Sequence, residues 1–385
     1  MKVLFITNIP SPYNVAFLDE LGKRADVVAV FEKASSSERD ASWTNAAFSH
    51  FRGVMLRGIT VDVDKAFCPG IIKHIRDNQD RHIIIGNPLT PTGMTAICYC
   101  KLNKIPFILQ SEGGIPKDGR GFKEKLKRLI MSGAQLYFSG MSKGHEYFLM
   151  YGATPEKVVQ YPFTSLSQED LSVDIASREE KARLRQKLNM AEDKCVLSVG
   201  QFIHRKGFDI LLRACGDMDK RIGIYIIGGK PTEEYLHLQK EYGLTNVHFL
   251  EFMNEKALGE YYRAADLFVL PTREDTWGLV INEAMAKALP VITTGRCVAG
   301  VELVENGING YVVPVEDIAQ LRSRMEEILG DTTLRDSMAK ESLKKIQWYT
   351  YENMAINHIR VLGSLHGSVP THGKAAEKDG APADI

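Results

Sequence analysis

The sequence predicts an α/β protein built from two doubly wound parallel sheets. Short apolar segments with the length of buried strands alternate with helical segments along most of the chain. This alternation stops once, between Leu166 and Lys194, where the charge density rises. The chain has 385 residues, which is enough for two domains with cores of their own. Strands that alternate with helices imply parallel sheets covered by helices on both faces.

In the first half, helices are expected between successive strands. Val15, Leu18 and Leu21, for example, recur at helical spacing after the first strand. The predicted strands are Lys2–Asn8, Ala25–Phe31, Ile83–Gly86, Ile105–Gln110, Gln135–Phe138 and Lys157–Tyr161. The predicted helices cover residues 13–23, 70–78, 91–103, 121–132 and 143–151.

The second half repeats this alternation after Ser177-Arg-Glu-Glu180, a pattern typical of a helix N-terminus. The predicted strands are Cys195–Gly200, Ile222–Gly228, Val247–Leu250, Leu267–Leu270, Val291–Thr294 and Gly310–Val313. The predicted helices lie near 207–215, 233–242, 255–264, 278–288, 300–306, 316–329 and 332–346. We therefore place a first domain at 1–165, a second at 166–350, a last helix at 351–362 and a disordered tail at 363–385, where apolar periodicity ends.

Composition excludes several functional classes. Lys and Arg together number 48, as do Asp and Glu, so no overall field favours nucleic acid as a partner. No apolar run reaches the ~20 residues of a membrane span, and the N-terminus lacks a signal peptide pattern. The six cysteines form no Cys-x-x-Cys pair and are expected to be reduced. These features predict a cytoplasmic globular protein.

A predicted strand, turn and helix near residue 275 form the first candidate site. The strand Asp266–Leu270 leads through the polar turn Pro271–Thr276 into a helix that begins near Gly278. Ligands of parallel sheets bind at the carboxyl ends of strands, and a helix N-terminus favours a phosphate. Gly278 allows a ligand to approach the backbone. Asp275 and Glu283 flank this phosphate position. They are too far apart to share one proton or one metal ion, and they are suited to bind two different parts of an elongated ligand.

The segment Asp275-Thr276-Trp277-Gly278-Leu279-Val-Ile-Asn-Glu283 resembles the signature of the family-4 retaining glycosyltransferases, which have the GT-B fold. In that signature, two acids enclose seven residues that include Phe-Gly-Leu, and the first acid is usually Glu rather than Asp. The resemblance implies that the first acid, Asp275, contacts the transferred sugar and that the second, Glu283, holds the ribose of the nucleotide. It also implies that Thr276, Trp277, Gly278 and Leu279 lie at the donor.

A second element lies near the start of the second domain. Arg205 and Lys206 stand together just before a predicted helix, where cations suit a diphosphate. The stretch resembles the family's Gly-Arg-Leu-(x)3-Lys-Gly element, with Lys206 at the lysine. Gln201 stands where the family usually has arginine, and Arg205 offers a substitute charge. The turn Ile226-Ile-Gly-Gly-Lys230 is similar to the next glycine turn of the family, which places Gly229 near the donor.

Two features of the first half concern the acceptor. Glu112 follows a predicted strand, where many members of the family have a histidine; it either orients the acceptor hydroxyl and takes its proton, or caps the next segment. Helix 121–132 is basic and amphipathic. It either packs by its apolar stripe or lies on an anionic membrane surface.

The resemblance covers residues 1 to about 362 and implies two Rossmann-like domains that face a cleft, with the last helix crossing back to the first. The implied reaction transfers a sugar, with retention, from a UDP- or GDP-sugar to a glycan or a lipid-linked acceptor, in surface polysaccharide synthesis. It requires no cofactor and no metal ion. A hydrolysing nucleotide-sugar epimerase of the same fold and a non-catalytic nucleotide-sugar-binding relative remain the alternatives.

Overall fold

The computed structural model describes residues 1–34, 48–63, 65–112, 121–141 and 144–365. The chain divides into two compact units. The first unit contains Met1–Phe163 and the helix that begins at Tyr351, and the second unit contains Thr164–Thr350. The predicted domain boundary, at residue 165, lies two residues after the observed division.

The first unit is organised around a parallel sheet that has seven strands within the described residues, in the order β3-β2-β1-β6-β7-β8-β9. Its central strands are buried on both faces, which explains their continuous apolar sequences. Its strands are β1 (Lys2–Thr7), β2 (Asp26–Phe31), β3 (Arg52–Met55), β6 (His82–Ile85), β7 (Ile108–Ser111), β8 (Leu136–Ser139) and β9 (Val158–Gln160), and the antiparallel pair β4 (Ile59–Asp62) and β5 (Lys65–Phe67) lies outside the sheet.

In the described part of this unit, five helices lie between the strands. Two of them begin with a proline, which suits the first helical turn because its missing N–H would have no partner there. Their bounds are α1 (Pro12–Gly22), α2 (Ile71–Arg76), α3 (Pro91–Leu102), α4 (Phe122–Met131) and α5 (Gly144–Met150).

The second unit has a six-stranded parallel sheet within the described residues, in the order β12-β11-β10-β13-β14-β15. The strands β10 and β13 are neighbours, although 67 residues lie between the last residue of β10 and the first residue of β13. This crossover brings the loop after β10 close to the loop after β13. The strands are β10 (Lys194–Val199), β11 (Ile222–Ile227), β12 (Val247–Leu250), β13 (Leu267–Leu270), β14 (Val291–Thr294) and β15 (Gly310–Val313).

The helices of the second unit confirm the predicted order of elements. The helix predicted after Ser177 is present, and the Ser177 side chain accepts a hydrogen bond from the Glu180 amide. The helices are α6 (Arg178–Leu188), α7 (Phe208–Cys215), α8 (Glu233–Glu241), α9 (Glu255–Ala264), α10 (Leu279–Ala286), α11 (Val298–Leu303), α12 (Ile318–Gly330) and α13 (Thr332–Ile346).

The last helix, α14 (Tyr351–Leu365), belongs to the first unit and packs on α1. It continues three residues beyond the predicted end at 362, because Leu362 is fully buried and the Ser364 hydroxyl donates to the Val361 carbonyl. The rest of the predicted disordered tail, residues 366–385, lies outside the described residues.

Candidate donor site in the second unit

The candidate site lies at the carboxyl ends of β10 and β13. The loop after β10 contains a short 3-10 helix, His204–Lys206, and the loop after β13 runs from Pro271 to Gly278. Because the two strands are parallel neighbours, both loops leave the same edge of the sheet. The sequence motifs around Lys206 and Asp275 therefore belong to one site.

The two loops are joined through main-chain groups. The Arg205 carbonyl accepts hydrogen bonds from the Thr272 hydroxyl and from the Arg273 amide, each at 2.8 Å. Gly207 has a φ of 71°, and a Cβ on it would lie 2.1 Å from the Pro271 carbonyl oxygen. Only glycine allows this close approach, so the backbones of the two loops are held against each other.

Three of the predicted residues form an ion cluster. Lys206 Nζ lies 2.5 Å from Asp275 Oδ2, and Arg205 Nη1 lies 3.5 Å from Asp275 Oδ1. The Lys206 and Asp275 side chains are each 12% exposed, whereas Arg205 is 44% exposed. A partly buried ammonium and an accessible guanidinium thus stand together at the edge of the sheet, and this arrangement suits a phosphorylated ligand.

The start of α10 adjoins this cluster. Gly278 has a φ of 98°, and a Cβ there would lie 2.7 Å from Cys297 Sγ and 3.9 Å from Asp275 Cγ. The helix α10 therefore begins at Leu279, beside the Asp275 carboxylate, and the dipole of a helix favours an anion at its N-terminus.

Two neighbouring residues predicted at the donor have different environments. Trp277 is buried, and its indole N–H donates to Asn282 Oδ1 at 2.8 Å, so its ring anchors the start of α10. The Thr276 side chain is exposed. Trp277 therefore has a structural contact that the sequence motif does not reveal.

Glu283 lies on α10 in the wall of a cavity of about 770 Å³. Its carboxylate accepts a hydrogen bond from the Tyr262 hydroxyl at 3.0 Å, and Ser165 Oγ lies 3.4 Å from its other oxygen. Burial raises the pKa of Glu283, and the nearby Glu255 carboxylate adds to this effect. The cavity lining contains Glu283 but not Asp275, Arg205 or Lys206, so the two acids of the motif face different surroundings.

The glycine turn after β11 also reaches this edge. Gly229 has a φ of 115°, and its amide donates to the Leu250 carbonyl at 3.2 Å. A Cβ on its neighbour Gly228 would lie 1.8 Å from the Gly200 carbonyl oxygen, so Gly228 is the residue that lets the turn pack on the end of β10. A Cβ on Gly229 would have no neighbouring atom within 4 Å.

Arg273 forms a further set of ion pairs at this site, and its role was not predicted from the sequence. Its guanidinium makes two hydrogen bonds to the Asp209 carboxylate, at 2.8 and 2.7 Å, and a third to Glu316 at 2.7 Å. The Asp209 partner holds the pKa of Arg273 above its ordinary value, and Arg273 lowers the pKa of Asp209 against the effect of burial. The available signal was an arginine three residues after the end of a buried strand.

Part of the second unit is similar to a known protein family. Residues 180–345 match the family of glycosyl transferases group 1. This segment contains Arg205, Lys206, Asp275 and Glu283. The second unit therefore carries the part of the chain that is similar to the group 1 glycosyltransferases.

Two curated relatives extend the similarity. An uncharacterized glycosyltransferase of Methanocaldococcus jannaschii is 27% identical over 215 residues, which are 54% of this chain and 54% of that protein. A D-inositol 3-phosphate glycosyltransferase of Kribbella flavida is 25% identical over 59% of this chain and 55% of that protein. The chain thus spans about half the length of the curated relatives it matches.

A solved structure confirms the predicted fold. HepE of Anabaena, determined in complex with UDP, matches with a TM-score of 0.76 and 17% identity, over 94% of this chain and 100% of that one. The architecture is therefore the predicted GT-B fold, with two α/β domains. Within the described residues, no helix is both long enough and apolar enough to cross a membrane.

The predicted residues of the first half lie in the first unit. Glu112 directly follows β7, and a Cβ on Gly140 would lie 2.3 Å from the Glu112 carbonyl oxygen. The Tyr161 hydroxyl, which lies 3.3 Å from the Ser111 carbonyl oxygen, is close enough to Glu112 for the carboxylate to raise the pKa of Tyr161 beyond the effect of burial. Glu112 therefore lies beside a buried tyrosine at the carboxyl edge of this sheet.

Most of the apolar stripe of α4 is exposed. Phe122 is 80% exposed, Leu129 69% and Leu126 44%, whereas Ile130 is buried. The alternative in which the whole stripe packs inside the unit is therefore wrong for three of its four residues. The helix also carries three lysines and one arginine against a single acid, Glu124.

Proposed function

We propose that this chain is a retaining glycosyltransferase that uses a nucleoside diphosphate sugar. The observation that carries the proposal is the cluster of Lys206, Arg205 and Asp275 beside the N-terminus of α10. Two cations and free helix amides at one strand edge suit the two phosphates of such a donor. The similarity of residues 180–345 to group 1 glycosyltransferases, and the UDP and UDP-glucose bound in structures of HepE, support this choice of ligand.

The leaving diphosphate is the group that this site stabilises. As the bond between the anomeric carbon and the phosphate oxygen breaks, negative charge grows on that oxygen. Lys206, Arg205 and the amides at Gly278 and Leu279 lie where this charge develops, and fixed positive groups of this kind lower the barrier. In this proposal they take the role that a metal ion has in other transferases, and no metal is required.

Glu283 is assigned to the ribose of the nucleotide. Its partly buried carboxylate has one strong donor, Tyr262, and the cavity beside it offers room for a ligand. A carboxylate can accept hydrogen bonds from both hydroxyls of a ribose. The cavity wall also carries Lys256 and Glu255, so polar groups surround the assigned position.

The acceptor hydroxyl attacks on the face from which the diphosphate leaves, which retains the anomeric configuration. The leaving phosphate assists removal of the hydroxyl proton, and Glu112 is assigned to orient the acceptor. The exposed apolar and basic residues of α4 favour a lipid-linked acceptor at the surface of an anionic membrane, with the protein on the cytoplasmic side.

The test compares Lys206→Ala with Lys240→Ala. Lys240 is an exposed lysine at the end of α8 and is the matched control. We expect Lys206→Ala to reduce transfer by about 10²–10³-fold, as loss of one transition-state donor does, and to weaken binding of the nucleoside diphosphate. The control should behave as wild type. Undiminished turnover in Lys206→Ala would show that Lys206 does not stabilise the leaving diphosphate.

The donor is found by a thermal-shift screen of UDP-, GDP- and ADP-sugars, in which a ligand at a hundredfold excess over Kd stabilises by about 2.7 kcal/mol. The reaction is then followed with and without EDTA, and the anomeric configuration of the product is determined by NMR. Activity that EDTA abolishes and Mg²⁺ restores would refute the metal-free mechanism. Release of free sugar without an acceptor would favour the epimerase alternative.

A further inference from the structure

Lys206 and Arg205, the two cations of the proposed phosphate clamp, both contact a carboxylate of the chain itself. Asp275 reaches Lys206 Nζ with one oxygen, at 2.5 Å, and Arg205 Nη1 with the other, at 3.5 Å. Arg205 Nη1 also donates to the Glu274 carbonyl oxygen at 2.8 Å. The loop after β13 thus supplies both the carboxylate and the main-chain carbonyl that contact the two cations.

The backbone of Asp275 is held on both sides. Its amide donates to the Arg296 carbonyl at 3.0 Å, and its carbonyl accepts from the Val298 amide at 3.3 Å. The loop therefore cannot withdraw without breaking these bonds. Rotation of the Asp275 side chain is the least costly way to release Lys206.

We propose that Asp275 is an internal counter-ion of the phosphate clamp, which the diphosphate of a ligand displaces from Lys206. The inference rests on the proposed function of this site. It differs from the role that the resemblance gives to Asp275, which is contact with the sugar. As a counter-ion, Asp275 positions Lys206 in the free protein and competes with every anion that enters.

The competition follows from the charges. Two cations and one carboxylate give the free site one net positive charge. A diphosphate gains its contact with Lys206 only after the ion pair between Lys206 and Asp275 has been exchanged. Because both side chains of that pair are 12% exposed, the pair is poorly screened by water, and its loss offsets part of the binding energy. The same competition speeds release of the nucleoside diphosphate product.

The experiment measures binding of inorganic pyrophosphate by calorimetry, since this probe has neither sugar nor base. Asp275→Asn removes the charge with little change of shape, and Asp275→Ser removes the carboxylate altogether. We expect both variants to bind pyrophosphate about tenfold more tightly than wild type, which corresponds to the lower range of energies measured for close ion pairs. Asp275→Glu, which keeps the charge, should stay near wild type.

Tighter binding is informative because damage to the site would weaken binding. Unchanged or weaker pyrophosphate binding in Asp275→Asn and Asp275→Ser would overturn the proposal. It would also be overturned if Asp275→Glu bound pyrophosphate as tightly as Asp275→Asn. In a Lys206→Met background, Asp275→Asn should change affinity much less than in wild type. The proposed function fails separately, if Lys206→Met itself binds pyrophosphate as tightly as wild type.

Discussion

The start of α10 can be tested by adding one methyl group. Gly278→Ala places a Cβ 2.7 Å from Cys297 Sγ, in a residue whose φ is 98°. The left-handed backbone costs a residue with a side chain about 1–2 kcal/mol, and forcing the neighbouring sulfur aside adds about 1–3 kcal/mol. We therefore expect the free energy of unfolding of the second unit to fall by about 2–5 kcal/mol.

Urea unfolding followed by tryptophan fluorescence measures this change. Two of the three tryptophans, Trp277 and Trp348, lie in the second unit, so the emission reports mainly on it. A double-mutant cycle with Cys297→Ala separates the two causes: removal of the sulfur should relieve the crowding and leave the backbone strain, with a coupling energy of about 1–2 kcal/mol. Activity should fall as well, because the Gly278 and Leu279 amides shift.

Gly259→Ala is the matched control for this substitution. Gly259 lies inside α9 and does not have a positive φ, and a Cβ on it would have no neighbouring atom within 4 Å. Alanine there should raise stability by about 0.5–1 kcal/mol, because alanine favours helices over glycine. If Gly278→Ala costs less than about 1 kcal/mol, or shows no coupling to Cys297, the account of this helix start is wrong.

Two further predictions concern the first unit. Burial lowers the pKa of His358 to about 4, against 6.5 in the unfolded chain, so its contribution to stability is complete above pH 6.5 and is lost as the pH falls toward 4. Wild type should lose up to about 3 kcal/mol more than His358→Gln over this range in acid unfolding, and parallel curves would contradict the assignment. Replacing both exposed residues Phe122 and Leu129 by serine should weaken binding to anionic vesicles without lowering Tm, whereas Ile356→Ser, on α14, should change neither; equal binding by all three proteins would remove α4 from the membrane contact.

The order of elements could be predicted because each strand and helix has its own periodic signal. The site could be predicted to the level of its two loops, since parallel neighbours such as β10 and β13 end at one edge. The ion pair of Asp275 with Lys206 could not be predicted, because the spacing of a motif fixes backbone positions and leaves side-chain partners open. The same holds for Glu283, whose partner Tyr262 lies on another helix, and for the buried Trp277 ring.

The elements that were missed have weak local signals. The strands β3, β4 and β5 have only three or four residues each, and β4 is exposed along its whole length. Their sequences therefore lack the apolar pattern that predicts a buried strand. The position of His358 in the first unit depends on the return of α14 to that unit. There its ring stacks on Phe138 with centroids 4.2 Å apart, and its Nε2 lies 3.0 Å from Gln110 Oε1. Such contacts depend on the tertiary structure and not on a local pattern.

The two departures from the family pattern are best understood together. Gln201 stands where the family usually has arginine, and Arg205 supplies a cation four residues later in the chain. Arg205 stands directly before Lys206, within 3.5 Å of Asp275, and there an aspartate is long enough to contact both cations. Asp275 and Arg205 therefore belong to one ion cluster with Lys206, and this cluster is the basis of the proposed internal ion pair.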